Sequence, residues 1–268
     1  MLAGLPMYDW PEISAATDEF WTVLRDCLLR RGIEAPATLT RQVDLAALWH
    51  SKELMVGQTC GLPFATGLNR HVRLIGTPSY DIGCAPGCYY SVLIAPKGSG
   101  TALDGFSGSL AINSYGSQSG FAALVTALVA AGVDMGGVEI QVSGAHRASI
   151  EAVASGKAEL AAIDAVSFRL AERHVPEIDG VEVICCTCPT PGLPLITALP
   201  SGAVDALAAA TEEAIRLLEP SLRRQLLLTG FRRSKAEDYA GIERDWRLIE
   251  AVMPQDGTSI LKASGVPR

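Results

Sequence analysis

Apolar positions along this chain follow two rhythms. Short continuous runs read as buried strands, and longer stretches with apolar residues three and four apart read as amphipathic helices. Leu2–Met7 is a run that stops at Tyr8-Asp9. Trp21, Leu24, Leu28 and Leu29 then recur at helical spacing, with Pro11 before them and Gly32 after them as start and stop signals. Further strands are expected at Ala37–Thr40, Leu54–Gln58, Val72–Gly76, Tyr90–Pro96, Ser109–Asn113, Val138–Val142, Leu160–Ile163, Val181–Cys185 and Leu195–Leu199. Helices are expected at Val43–Trp49, Phe121–Ala131, Arg147–Ala154, Ala165–Arg173, Val204–Leu218, Ser221–Leu228 and Lys235–Val252. Thr59–Pro63 reads as a loop, and a frayed tail is expected from Gln255.

Strands alternating with helices predict an α/β protein whose sheets are mostly parallel and flanked by helices. The alternation forms two series joined near Tyr89–Val92, and the proline-rich Cys188–Pro194 marks a second break. Two lobes are therefore expected, 1–89 with 190–268 and 90–189, joined by two extended crossings that form a hinge. Ligands in such sheets bind beyond the carboxyl ends of strands, so a cleft between the lobes is the expected site.

Charge narrows the function. Lys and Arg number 22 against 29 Asp and Glu, a net charge of −7, and no basic run of five occurs. A nucleic-acid partner is not expected, because neutralising phosphates takes a basic face. No apolar stretch reaches 18 residues, so no membrane-spanning helix is expected. Met1–Trp10 has neither a basic start nor a long apolar core, so no secretory leader is read there. The chain is expected in the cytoplasm if it is full length, and in the periplasm if a leader has been removed. The seven cysteines lack paired CxxC spacing and have no histidine nearby in sequence, which points to free or buried thiols and to no metal.

The clearest chemical signal is Asn113-Ser114-Tyr115-Gly116-Ser117-Gln118-Ser119-Gly120-Phe121, where a strand feeds a serine and glycine turn that opens a helix. Hydroxyls and free amides at a helix start form an anion site without any lysine. Ser117 and Ser119, with the amides of Gln118 to Phe121, are the expected donors, although one serine is also a good helix cap. Ser143–Ser149 repeats the pattern and places His146 at a helix start, with Arg147 expected to face solvent. Asp164 ends an apolar strand and either meets a ligand or caps the next helix. Tyr8 and Gln58-Thr59-Cys60-Gly61 follow strands and face the expected cleft, as does one of Tyr89 and Tyr90. G-x-S-x-G, P-loop, HExxH and Rossmann fingerprints are missing, so no enzyme, catalytic residue or cofactor is expected.

Three motifs together resemble the phosphate/phosphonate substrate-binding proteins of ABC transporters, within the type 2 periplasmic-binding superfamily. They are Gln58–Pro63, Asn113–Gly120, and Gly144-Ala-His146 followed by Ile150–Asp164. The resemblance implies a monomeric, two-lobed capture protein that delivers a small oxyanion (phosphonate, phosphate or phosphite) to the membrane subunits of an importer. It implies that Ser117, Gln118, Ser119 and Gly120 hold the oxygens, that His146 adds a donor and that Tyr89 is the cleft tyrosine. Where the family often has a tyrosine, this chain has Thr59-Cys60, and the family's acidic partner for an amino group has no clear match. Small lyases that act on carboxylates, and cytosolic ligand sensors, share the fold and are the alternative readings.

Overall fold

A computed structural model describes residues 1–253; the tail expected from Gln255 lies outside the described residues. The chain begins with β1 (Leu2–Gly4), α1 (Ser14–Leu29), α2 (Leu45–His50), β2 (Leu54–Gln58), α3 (Gly61–Thr66) and β3 (Arg73–Tyr80). Next come β4 (Cys88–Tyr89), β5 (Ser91–Pro96), β6 (Ser109–Ile112), α4 (Ala123–Ala130), β7 (Glu139–Val142) and α5 (His146–Ala154). They are followed by β8 (Leu160–Asp164), α6 (Ala165–His174), β9 (Val181–Cys186), β10 (Thr190–Pro191) and β11 (Leu195–Thr197). The chain closes with α7 (Val204–Leu217), α8 (Pro220–Gln225), β12 (Leu228–Arg232) and α9 (Ala240–Val252).

Two compact units result. Unit 1 holds Met1–Cys88 and Pro191–Ala240, and unit 2 holds Tyr89–Thr190 and the chain from Gly241 as far as it is described. The expectation that all of 190–268 belongs to the first lobe is corrected for α9. Ile242, Trp246 and Ile249 form its buried stripe, and Trp246 meets Phe121 of unit 2 edge-on at 6.2 Å. An aromatic pair of this kind anchors the helix where its apolar face is covered.

Unit 1 has the strand order β1-β2-β11-β3-β12. β1 and β2 pair parallel, while β11 and β12 run against their neighbours. Mostly parallel sheets were expected, and unit 1 corrects this: the strands that enter it on the chain's return run opposite to the outgoing ones. Unit 2 has the order β7-β6-β8-β5-β9, in which β5 alone opposes the rest. The buried Leu54, Met55 and Val56 of β2 and Leu160, Ala161, Ala162 and Ile163 of β8 lie in the two sheet cores. Such continuous apolar runs are what strands covered on both faces require.

Local departures from expectation have local causes. Ala37–Thr40 is not a strand, although the Thr40 amide donates to the Ala3 carbonyl at 2.7 Å. Gly61–Thr66 is a helix rather than a loop, and its proline falls in the first turn, where a missing N–H costs nothing. The stretch expected as one helix at Ser221–Leu228 ends at Gln225, because Leu227 turns to φ +55° and the chain leaves as β12.

Candidate functional site

Parallel β6, β7 and β8 end on the same side of the unit 2 sheet, so the segments that follow them gather there. The serine turn follows β6, His146 opens α5 after β7, and Asp164 closes β8. Antiparallel β5 starts at the same side, with Ser91 paired opposite Asp164.

The turn is built by its own hydrogen bonds. Ser117 has an extended backbone, and its Oγ accepts the Gly120 amide at 2.9 Å. Gln118–Ala122 then form a π-turn, in which the Ala122 amide donates to the Ser117 carbonyl at 3.0 Å. One wide turn at the head of a helix is a frequent device at functional sites, because it opens the amide ring. Ser117 is therefore the cap. Of the amides expected to meet an anion, that of Gly120 is committed to Ser117, while a helix start carries the positive end of its dipole. Ser117, Gln118, Ser119 and Gly120 are all buried.

His146 is joined to this turn. Its Nε2 lies 2.9 Å from Ser119 Oγ. The residue is half-buried, but its ring nitrogen Nδ1 is out of solvent, and burial pushes the imidazole down to about 4 against the opposing effect of the Ala162 carbonyl. The ring is thus neutral at pH 7 and carries one N–H. With that proton on Nε2 the ring donates to Ser119 Oγ; with it on Nδ1 the ring accepts the serine hydroxyl proton. The neighbouring Arg147 is turned to Glu151, 3.6 Å away, so the guanidinium does not take the site role.

Two residues unassigned from sequence complete the arrangement. Ser91 Oγ donates to the Ser119 carbonyl at 2.9 Å, which pins the turn to β5. Asn113 places its Oδ1 against the Cα of Gly120, where a Cβ would collide with it and would stand 3.1 Å from His146 Cε1. Gly120 is required by this close approach rather than by its backbone angles. Only strand register reveals Ser91; Asn113 stood at the head of the quoted motif and lacked a contact to give it a role.

Asp164 resolves to its structural alternative at one oxygen: Oδ1 accepts the Val166 and Ser167 amides at 2.8 and 3.0 Å and caps α6. Tyr89 is buried at the start of unit 2. Tyr8 and Thr59 belong to unit 1. Thr59 is fully covered, and its amide donates to the Pro194 carbonyl at 3.1 Å. Tyr8 packs edge-on against Tyr80 with ring centres 5.0 Å apart, and Gln58 Nε2 donates to Tyr80 Oη at 3.1 Å. These three line a cavity of about 40 Å³ within unit 1, which Thr59 does not line. Among the described residues no disulfide is formed, and no cluster of three or more His, Cys, Asp and Glu residues is arranged to hold a metal.

A family profile described as the periplasmic substrate-binding protein of phosphonate ABC transporters matches residues 5–239. No curated protein matches the chain in sequence. Among solved structures, PhnD1 of Prochlorococcus marinus in complex with methylphosphonate superposes with a TM-score of 0.70 at 17% identity, over 93% of this chain and 98% of that one. A binding-protein component of an ABC phosphonate transporter from Pseudomonas aeruginosa gives 0.70 at 16% identity, over 98% and 94%. The protein XAC2383 of Xanthomonas citri, bound to chloride, gives 0.69 at 14% identity, over 92% and 99%. At these identities the structures establish a shared type 2 periplasmic-binding fold.

Proposed function

The chain belongs to the family of periplasmic substrate-binding proteins of phosphonate ABC transporters, and from that premise we propose that it captures a small phosphorus oxyanion on the serine turn of unit 2 and delivers it to an importer. Members of the family are binding proteins and not enzymes, and they work with a small ligand and the transporter's membrane subunits. The lyase alternative is set aside on that ground. The family is periplasmic, and no helix among the described residues is long and apolar enough to cross a membrane.

One observation carries the reading: Ser119 Oγ sits 2.9 Å from the neutral His146 ring at a helix start opened by a π-turn. Amides of the helix start, a serine hydroxyl and the helix dipole converge there, and together they stabilise an anion without a side-chain cation. In this reading Gln118 and Gly120 shape the turn and Tyr89 borders it. Inorganic phosphate, phosphite and methylphosphonate are the ligands to try first.

Isothermal calorimetry with these anions tests the proposal on the wild type and on Ser119→Ala. A hydrogen bond to a charged acceptor contributes about 1.5–3 kcal/mol, so Ser119→Ala is expected to weaken binding roughly 10- to 100-fold. Absence of binding by every oxyanion, or an unchanged Kd in the folded variant, would overturn it.

A further inference from the structure

Four histidines occur in the chain, and two of them meet away from the serine turn. His50 is the last residue of α2, and His71 lies two residues before β3. Both belong to unit 1 and both are exposed. Their ring centres are 6.0 Å apart, with the planes tilted by 50°. The function proposed above uses neither residue.

Two imidazoles on one metal ion stand at close to this spacing. A metal–nitrogen bond of about 2.0–2.1 Å puts each ring centre about 3.2 Å from the ion, and two such centres about 5–6 Å apart at tetrahedral or wider angles. The tautomer of His50 also suits a metal. Its Nδ1 lies 2.8 Å from the Ala46 carbonyl, one turn back on α2, and a carbonyl only accepts. Nδ1 therefore carries the proton, which leaves the Nε2 lone pair of the neutral ring for an ion. A ligating histidine is ordinarily oriented in this way, by its second nitrogen on a carbonyl or carboxylate. His71 is anchored at its backbone, where its amide donates to the Leu68 carbonyl at 2.8 Å.

The donor set selects the ion. Among the described residues no carboxylate or thiol joins the pair as a third protein ligand. Calcium and magnesium need oxygen ligands and are not served, whereas imidazole suits divalent zinc, nickel and copper. The net charge of −7 favours the approach of a cation. Lys52, Arg70 and Arg73, close in sequence to the two histidines, oppose it locally and limit the affinity.

We propose that His50 and His71 form a surface site for one divalent transition-metal ion of the zinc type, with water in its remaining positions. The ion ties the end of α2 to the segment that enters β3. This site does not rest on the oxyanion function.

Zinc chloride titrated into the full chain tests it, with the histidine rings followed by NMR and the heat by calorimetry. The ring signals of His50 and His71 should shift together and saturate at one zinc per chain, while those of His146 and His174 stay in place. His50→Gln and His71→Gln should each weaken zinc binding about 10-fold or more, because a single imidazole remains. Both side chains are exposed, so the variants should keep the fold, which circular dichroism checks. Cys186 and Cys188 are exposed thiols that also take zinc. Replacing both by serine removes them and should leave the two histidine shifts unchanged. Zinc that shifts neither ring or only one, equal binding by the histidine variants, shifts that vanish with the two thiols, or equal shifts with magnesium chloride would each overturn the site. If zinc shifts both rings and no oxyanion binds, the function proposed above falls and the metal site stands.

Discussion

Ser117 and Ser119 are two residues apart and do different work. Ser117 Oγ is occupied by the Gly120 amide, so Ser117→Ala is expected to cost about 1 kcal/mol of stability, read by urea unfolding. Ser119 Oγ has the His146 ring as its partner, so its loss is expected in affinity more than in stability. His146 makes a separate prediction. Its folded pKa is lowered to about 4 from 6.5, so between these values the unfolded chain binds more protons than the native one. Stability therefore rises with pH across that window and is lost as pH falls from about 6.5 toward 4. The size is about 2–3 kcal/mol for a ring that is half-buried as a residue. Urea denaturation of wild type and His146→Gln at pH 4.5 and 7 checks this; the variant should show a flatter dependence, and an equal drop in both would remove His146 as the cause.

At the level of elements, the junctions decide more than the element centres. Gly120 lets the π-turn close against Asn113 and His146, and Gly120→Ala must push one of them away. That variant is expected to unfold at lower urea and to bind oxyanion more weakly, because the same displacement strikes cap and site together. α9 is held to unit 2 through one apolar stripe. Trp246→Ala removes its aromatic contact with Phe121, the residue that follows the serine turn, and should cost about 3–5 kcal/mol in thermal or urea unfolding. A cost below 1 kcal/mol would mean that α9 is not part of the unit 2 core.

For the whole molecule, a net charge of −7 sets a long-range field that does not favour anions. Under the proposed function, capture then rests on oriented dipoles and hydrogen bonds at short range, the kind proposed for the serine turn. A ligand at 100 times its Kd is expected to stabilise the native state by about 2.7 kcal/mol. Differential scanning fluorimetry should read this as a rise of roughly 5–10 °C in Tm for a chain of this size. The same rise with sodium chloride alone would assign it to ionic strength rather than to the oxyanion.

The sequence by itself determined the type and order of most elements. Leu54–Gln58 was legible as a strand because it is an apolar run of strand length, and Val204–Leu217 as a helix because its apolar positions keep helical spacing. It also marked the serine turn and His146, since each follows a strand and opens a helix, and local rules govern such starts. Strand direction was not legible: β11 and β12 pair according to where the returning chain enters the sheet, and no local pattern records that. The end of α8 was hidden because Leu226, Leu227 and Leu228 continue an apolar pattern, and only tertiary contacts hold Leu227 in a conformation its side chain disfavours. Tertiary structure alone joined Ser119 to His146, set Ser91 beneath the turn, and gave Asp164 Oδ1 to α6. These pairings link residues on different elements, and their distances follow from how β5, β6, β7 and β8 align rather than from spacing along the chain.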